Sequence, residues 1–128
     1  MQELHLYEYA IIRLVPRVER EEFINVGVIV YCKATGFLDC KYYVNLDRIH
    51  CLTAKELNIA EITAHLDSYV AIARGEASDH PVSRLDPASR FRWLTAVRST
   101  IIQSSRIHPG RHPKPQKAFE DLFEKMVL

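Results

Sequence analysis

The 128 residues carry 17 Lys and Arg against 16 Asp and Glu, and 48% of the chain is hydrophobic. This length fits a single domain, 1–128, with a sizeable core, and the balanced composition excludes a disordered or collagen-like chain. No apolar run approaches the ~20 residues that span a bilayer, so we expect no membrane segment. The polar start of the chain predicts no signal peptide.

The three cysteines, Cys32, Cys40 and Cys51, indicate a reducing compartment. Their number is odd and none forms a C-x-x-C pair, so neither a disulfide framework nor a metal site is favoured. Cys32 and Cys40 lie among apolar and aromatic residues, where a thiol acts as a small hydrophobe. We therefore predict a cytoplasmic protein with reduced thiols and with neither a metal nor a cofactor.

Charge is distributed unevenly along the chain. Residues 1–69 hold seven basic and ten acidic side chains, whereas residues 70–128 hold ten basic and six acidic ones. Segment 84–117 has a net charge of +7. Its acidic counterpart is a short loop that contains Glu19, Glu21 and Glu22. This split predicts either an anionic partner or two halves of the chain that face each other.

Three strands are predicted in the first third of the chain. Aromatic and β-branched residues dominate them, and short polar connections separate them. Their ranges are 7–15, 23–31 and 37–44. In the second strand, strict alternation assigns Ile24, Val26, Val28 and Val30 to one apolar face. The pattern favours an antiparallel meander with one face free to pack against helices.

Helical spacing follows in the middle of the chain. Thr53 and Glu56 match a T-x-x-E capping box, in which each side chain satisfies a backbone donor of the first turn. Gly75 is suited to end this helix in a left-handed conformation. Asp86 and Pro87 mark the start of a second helix, because Asp caps and Pro tolerates the first helical position.

The last third of the chain completes the predicted fold. Residues 99–104 are predicted to form a fourth strand, and residues 105–113 a loop because they hold two Pro and a Gly. Pro115 opens a final helix. The order β-β-β-α-α-β-α favours an α+β fold. We expect a mainly antiparallel sheet of three to four strands with the helices packed on one face.

Residues 22–28 are unusual for a strand. Asn25 and Gly27 are poor strand formers, and a Gly in a strand marks a bulge or a close approach by another backbone or a ligand. One interpretation is a bulge in which the Asn25 amide satisfies a freed backbone group. The other is a floor for a small polar ligand, with Arg13 nearby. The register of the hairpin decides whether Arg13 and Asn25 share a face.

A second unusual segment interleaves arginines with aromatic residues. Arg90, Arg92 and Arg98 surround Trp93, a composition that suits phosphate contact and base stacking. The alternative is an amphipathic helix whose arginines are solvated or pair with the acidic loop. The sequence leaves both interpretations open.

Both segments resemble one bacterial family. The resemblance lies in Tyr9-Ala10-Ile11-Ile12-Arg13-Leu14-Val15-Pro16, Glu22-Phe23-Ile24-Asn25-Val26-Gly27-Val28, Arg90-Phe91-Arg92-Trp93-Leu94, Gln103, Ser105, His108 and Gly110. These residues are similar to the family catalogued as domain of unknown function 3037, over nearly the whole chain. The resemblance implies a small cytoplasmic protein with a partner or accessory role, beside a HipA-like kinase. It assigns no catalytic residue.

The sequence offers few signatures of an enzyme, since H-E-x-x-H, G-x-S-x-G, P-loop and G-x-G-x-x-G motifs are all missing. We therefore expect a non-enzymatic interaction or regulatory module with a protein partner. Such a module would present an exposed aromatic patch, for which Tyr7, Tyr9 and Tyr31 on the outer sheet face are the candidates.

Two other functions stay open. The first is binding of nucleic acid or a nucleotide through the basic segment 84–117. The second is a small enzyme for a phosphorylated or acyl substrate, which would bring Arg13, Glu22, Asn25 and His108 into one pocket. The candidate ligand or partner site comprises Arg13, Glu22, Asn25, Gly27, Arg90, Trp93, Arg98, Gln103 and His108.

Overall fold

The computed structural model describes residues 3–76 and 79–128, which form an α+β fold around one antiparallel sheet. Its strands are β1 (His5–Leu14), β2 (Ile24–Cys32), β3 (Phe37–Tyr42), β4 (Ile102–Ser104) and β5 (His108–His112). Across the sheet the order is β3-β2-β1, and β4 and β5 pair in turn with the remaining edge of β1. The predicted fold class and the antiparallel sheet are confirmed, with one strand more than expected.

The additional strand β5 lies where the sequence predicts a loop. Pro109 lacks an N–H donor, but β5 pairs with β1 alone among the described strands, and a missing donor is tolerated at a sheet edge. Gly110 lies opposite Tyr7, and a Cβ at Gly110 would come within 2.3 Å of Tyr7 Cζ. The two residues that favour a loop are therefore suited to an edge strand that carries a tyrosine ring.

Four helices accompany the sheet in the described ranges. They are α1 (Leu46–Leu52), α2 (Ile59–Arg74), α3 (Pro87–Leu94) and α4 (Pro115–Met126). Gly75 ends α2 with a φ of +70°, Asp86 caps α3 by accepting from Ser89 N, and Pro115 opens α4. These three helix boundaries confirm the predictions, because each is set by local side-chain chemistry.

The capping box predicted at Thr53 is wrong. Thr53 ends α1, which the sequence analysis missed, and its hydroxyl accepts from Lys55 N at 3.0 Å. The start of α2 lies five residues later, where the Asn58 side chain accepts from Glu61 N at 3.1 Å. Both Thr and Asn cap helices, and the chain uses the second of the two available caps.

The helices pack on both faces of the sheet, so the predicted single covered face is only half correct. One core contains Ala10, Ile12 and Leu14 of β1 together with residues of α1, α2 and α3. The other core contains Ile11, Val28, Val30, Phe119, Phe123 and Val127. Because β2 is apolar on both sides, it can be covered by helices on both sides, and α4 takes the second face.

A bulge interrupts the pairing of β1 with β2. Ile12 lies opposite Gly27, whereas Arg13 lies opposite Asn25, so Val26 is the additional residue. A Cβ at Gly27 would lie 2.8 Å from the backbone oxygen of Lys41, so β3 approaches closely at this point. The interpretation of this segment as a bulge is confirmed, and the Asn25 amide donates to the backbone carbonyl of Met126.

The bulge also changes which residues of β2 share a face. Val26 belongs to the core with α2 and α3, and so do Ile29 and Tyr31, whereas Val28 and Val30 belong to the α4 core. The predicted continuous face through Ile24, Val26, Val28 and Val30 is therefore wrong, because an additional residue reverses the alternation.

Tyr31 consequently lies away from the other two tyrosines. It is 7% exposed and its ring centroid is 5.4 Å from that of Phe91 in the α3 core. Tyr7 and Tyr9 are half-buried beside α4 on the opposite face. The predicted outer patch of Tyr7, Tyr9 and Tyr31 is not formed.

Candidate functional site

Three of the predicted site residues lie in one row across the sheet. Arg13 of β1 is directly opposite Gln103 of β4 on one side and Asn25 of β2 on the other. Directly opposed residues of antiparallel strands project to the same face with Cβ atoms about 5 Å apart. This face is the α4 side, because Asn25 Nδ2 donates to Met126 O at 3.2 Å. We call Gln103, Arg13 and Asn25 the polar row.

The Arg13 guanidinium in the middle of the row is held without a carboxylate. Its Cζ lies 4.1 Å from the centroid of the Phe23 ring. Its Nε is buried and makes no hydrogen bond, and no ion pair to Arg13 is formed within the described residues. A cation–π contact of this kind contributes about 0.5–1 kcal/mol and leaves the N–H donors free.

A groove of about 560 Å³ adjoins the polar row. Its walls are Phe23, Ile24 and Asn25 of the bulge region and Asp47, Arg48, Cys51 and Leu52 of α1. Arg48 donates to the carbonyl of Val127, which ties α1 to the end of α4. Asn25 belongs to both the groove and the row, and Phe23 lines the groove and lies against Arg13, so the groove and the row adjoin. Phe23 is 42% exposed there.

Of the seven residues that line this groove, only Asn25 belongs to the predicted site. Arg48 and Cys51 come from α1, for which no helix was predicted, although Asn45 accepts from Arg48 N as an N-cap. That asparagine, followed by apolar residues at Leu46, Ile49 and Leu52, is the signal that could have identified α1.

Glu22 and His108 do not belong to the polar row. Glu22 is exposed and pairs with Arg20 at 2.6 Å beside a smaller hollow of about 190 Å³. His108 is opposite Tyr9, four residues along β1 from Arg13, or about 13 Å, and its ring centroid lies 5.3 Å from that of Tyr9. The four groups that the enzyme hypothesis requires in one pocket do not converge.

Gly27 allows close packing of the strands and does not line the groove. The atoms that a Cβ would meet there are Lys41 O, Tyr42 Cβ and Ile12 Cδ1, which belong to the strands and their α2–α3 side. Its lack of a side chain therefore allows the bulge, and the bulge in turn sets Asn25 opposite Arg13.

Arg90 and Arg92 face other parts of the fold. Arg92 makes two hydrogen bonds to the carboxylate of Glu8, at 3.2 and 3.3 Å. The guanidinium of Arg90 lies against Gly75, where a Cβ would be 2.8 Å from Arg90 Nη1. A cation at this position complements the negative end of the α2 dipole. Neither arginine meets the acidic loop, so that predicted pairing is wrong.

The Arg98 side chain caps the C-terminal end of α3. Its guanidinium donates to the carbonyls of Trp93, Leu94 and Ala96, at and just beyond the last turn of α3. It also lies 4.6 Å from the centroid of the Trp93 ring and 5.8 Å from that of Tyr69. Trp93 and Arg98 are therefore partners of each other.

Trp93 belongs to an aromatic cleft of about 360 Å³ between α2 and α3. Its ring meets His80 at 5.1 Å and Tyr69 at 6.3 Å between centroids. His65 stands beside Tyr69, and burial together with the Arg98 charge lowers the pKa of His65. The cation that this aromatic cluster binds is supplied by Arg98 of the same chain.

Residues 3–76 and 79–128 contain no group of three or more His, Cys, Asp or Glu side chains placed to hold a metal ion. None of their helices combines the length and the apolar character that crossing a bilayer requires.

The fold and this surface define a small α+β protein that carries a groove and an unpaired arginine on one face of its sheet. The chain belongs to the family described as protein of unknown function (DUF3037), whose model matches residues 9–127. No curated protein and no solved structure matches the chain.

Proposed function

We propose that this protein is a non-enzymatic interaction module of the bacterial cytoplasm, which binds a segment of a partner protein on the groove and the polar row. The observation that carries the proposal is Phe23, an exposed aromatic ring that stands between a cavity of about 560 Å³ and an unpaired guanidinium. Exposed aromatic side chains beside Arg are the residues that anchor protein interfaces.

The size of the groove suits an inserted side chain. Its volume of about 560 Å³ is within the ~300–1,000 Å³ of ligand pockets. Apolar atoms of Phe23, Ile24 and Leu52 form much of its wall, and Asp47 and Arg48 lie at the same groove. An apolar anchor with polar surroundings is the composition of a specific interface.

Addition of a strand to the sheet is the less favoured way to bind the partner. On β3 the amide of Cys40 donates to the side chain of Asp39 at 2.8 Å, and Arg74 pairs with the same carboxylate at 3.0 Å. A side chain therefore occupies a donor that an added strand would need. At the other edge, Pro109 removes a donor from β5.

The two alternatives have less support. Two arginines of the nucleic-acid hypothesis have partners within the chain: Arg92 pairs with Glu8 at the surface, and Arg98 donates to carbonyls at the end of α3. For the enzyme hypothesis, Glu22 is engaged with Arg20 and His108 with the ring of Tyr9.

A kinase-like partner and a cytoplasmic setting complete the proposal. The free thiols of Cys32, Cys40 and Cys51 support a reducing compartment. The family resemblance supports an accessory role beside a HipA-like kinase. Binding of such a kinase would require contact with Phe23.

Affinity capture with two matched variants tests the proposal. Phe23→Asp places a charge in the groove, and Val97→Asp places the same charge at a side chain that is 99% exposed beyond α3. Each variant is used as bait in a lysate of the bacterium that produces this protein, and captured proteins are identified by mass spectrometry. We expect the wild type and Val97→Asp to capture a partner that Phe23→Asp does not capture. Equal capture by Phe23→Asp and Val97→Asp would refute the proposed surface, and thermal melts verify that both variants are folded.

A further inference from the structure

We infer that the polar row is a carboxylate-binding site, and that the partner segment carries an Asp or Glu next to the apolar side chain that enters the groove. This inference rests on the proposed function, because it names the chemistry of the segment that binds there. It starts from the charge of Arg13, which has no counterpart among residues 3–76 and 79–128.

Several other arginines have partners within the chain, whereas the buried Nε of Arg13, like that of Arg90, has none. Arg20, Arg74 and Arg92 each pair with a carboxylate of this chain, at 2.6 to 3.2 Å. Arg98 donates to three backbone carbonyls. Arg13 is half-buried at the centre of a sheet, where an unpaired charge is more costly than at the surface. A carboxylate from outside the chain would supply the missing partner.

The guanidinium is already oriented for such a partner. Stacking on Phe23 restricts the side chain, and the planar fork of Arg matches the two oxygens of a carboxylate. Asn25 Nδ2 donates to Met126 O and Gln103 Nε2 to Thr100 O, which fixes both amides. Each amide nitrogen retains a second N–H. The row thus offers several donors to one anion.

The charge of the row favours a carboxylate over a phosphate. Arg13 is its one cation, and its direct neighbours Asn25 and Gln103 are neutral. A phosphate monoester carries about −1.5 to −2 and calls for a second cation. Arg48, the arginine of the groove, is engaged with Val127 O and stands beside Asp47. A single negative charge is the better match.

The adjoining groove identifies the source of the carboxylate as a polypeptide. Phe23 touches Arg13 on one side and lines the cavity on the other. A free organic acid would occupy the row and leave the groove empty. A segment of protein with an apolar residue next to Asp or Glu would fill both at once.

Cys51 allows this to be tested with short peptides, because it lies in the groove and is exposed, whereas Cys32 and Cys40 are buried. Peptides of sequence Cys-Leu-Glu and Cys-Leu-Gln, blocked at both ends and supplied as mixed disulfides with 2-mercaptoethanol, exchange with the Cys51 thiolate. The exchange forms the protein–peptide disulfide and releases 2-mercaptoethanol. Mass spectrometry then measures the bound fraction as the concentration of 2-mercaptoethanol rises.

We expect the Glu peptide to remain bound at about fivefold more 2-mercaptoethanol than the Gln peptide. In the Arg13→Gln variant this preference should vanish, and in the matched control Arg111→Gln, which removes an exposed arginine of β5, it should persist. Equal binding of the Glu and Gln peptides, both above a Cys-Ser-Gln peptide, would overturn the carboxylate site and leave the proposed function standing. Stronger binding of a Cys-Leu-phosphoserine peptide would assign the row to phosphate instead. Equal binding of all four peptides would overturn both proposals.

Discussion

The two faces of the sheet use their arginines in opposite ways. On the side of α2 and α3, Arg98 is bound to the end of a helix and stacked on Trp93. On the side of α4, Arg13 is stacked on Phe23 and has no hydrogen-bond partner at its buried Nε. Both arginines stack on an aromatic ring. Arg98 also makes hydrogen bonds within the chain, whereas the buried Nε of Arg13 makes none.

The difference shows that the density of charge in a sequence is a poor guide to a binding site. Segment 84–117 carries the conspicuous net charge of +7, yet Arg90, Arg92 and Arg98 each face a group of the fold. Arg13 is an isolated cation in an apolar strand. Its buried Nε has no hydrogen-bond partner, a property that it shares with Arg90, but Arg13 also lies against Phe23 beside the groove. This combination is visible only in three dimensions.

The largest expected contrast is between two phenylalanines. Phe91 is fully buried, so Phe91→Ala should lower the free energy of unfolding by about 3–5 kcal/mol. Phe23 is 42% exposed, and Phe23→Ala should cost less than about 1 kcal/mol, chiefly the contact with Arg13. Urea denaturation measures both. Similar losses in the two variants would contradict the assignment of Phe23 to an open surface.

Replacing Arg98 should lower the stability of the fold more than replacing Arg13. Arg98→Ala removes donors from three carbonyls and is expected to cost about 1–3 kcal/mol of stability. Arg13→Gln removes no hydrogen bond within the described chain and should cost less than about 1 kcal/mol. Chemical denaturation of the two variants under one condition checks this, and a larger loss for Arg13→Gln would show that Arg13 serves the fold.

The smallest expected effect is the pH dependence of stability that His65 of the aromatic cleft causes. Because burial and the charge of Arg98 lower the pKa of His65 from 6.5, the unfolded chain binds a proton at a higher pH than the folded one. Stability should therefore fall as pH drops below about 6.5 and level off below the folded pKa. His65→Gln should show a smaller fall than the wild type. Identical pH profiles of the melting temperature would contradict this.

Much of the fold follows from local signals in the sequence. Gly75, Asp86 and Pro115 mark helix ends correctly, because a cap depends on the residues next to it. The loop predicted over 105–113 contains strand β5 at His108–His112, because pairing with β1 outweighs the local preferences of Pro109 and Gly110. The position of α4 on the second face depends on long-range packing.

The candidate site could be predicted only in part for the same reason. Arg13, Asn25 and Gln103 all belong to the predicted site residues, but their alignment in one row depends on the bulge and on two strand registers. Local pattern does not specify a register. Cys51 was assigned to no site, because the helix that carries it was not predicted.

Protection of Cys51 is the most direct test that a partner occupies this surface. In the free protein, iodoacetamide should alkylate Cys51 and leave the buried Cys32 and Cys40 unmodified. In the complex with the protein captured by the wild type, the rate of alkylation at Cys51 should fall at least about tenfold, because the groove is filled and closed to the reagent. An unchanged rate in the complex would place the partner elsewhere and contradict the account.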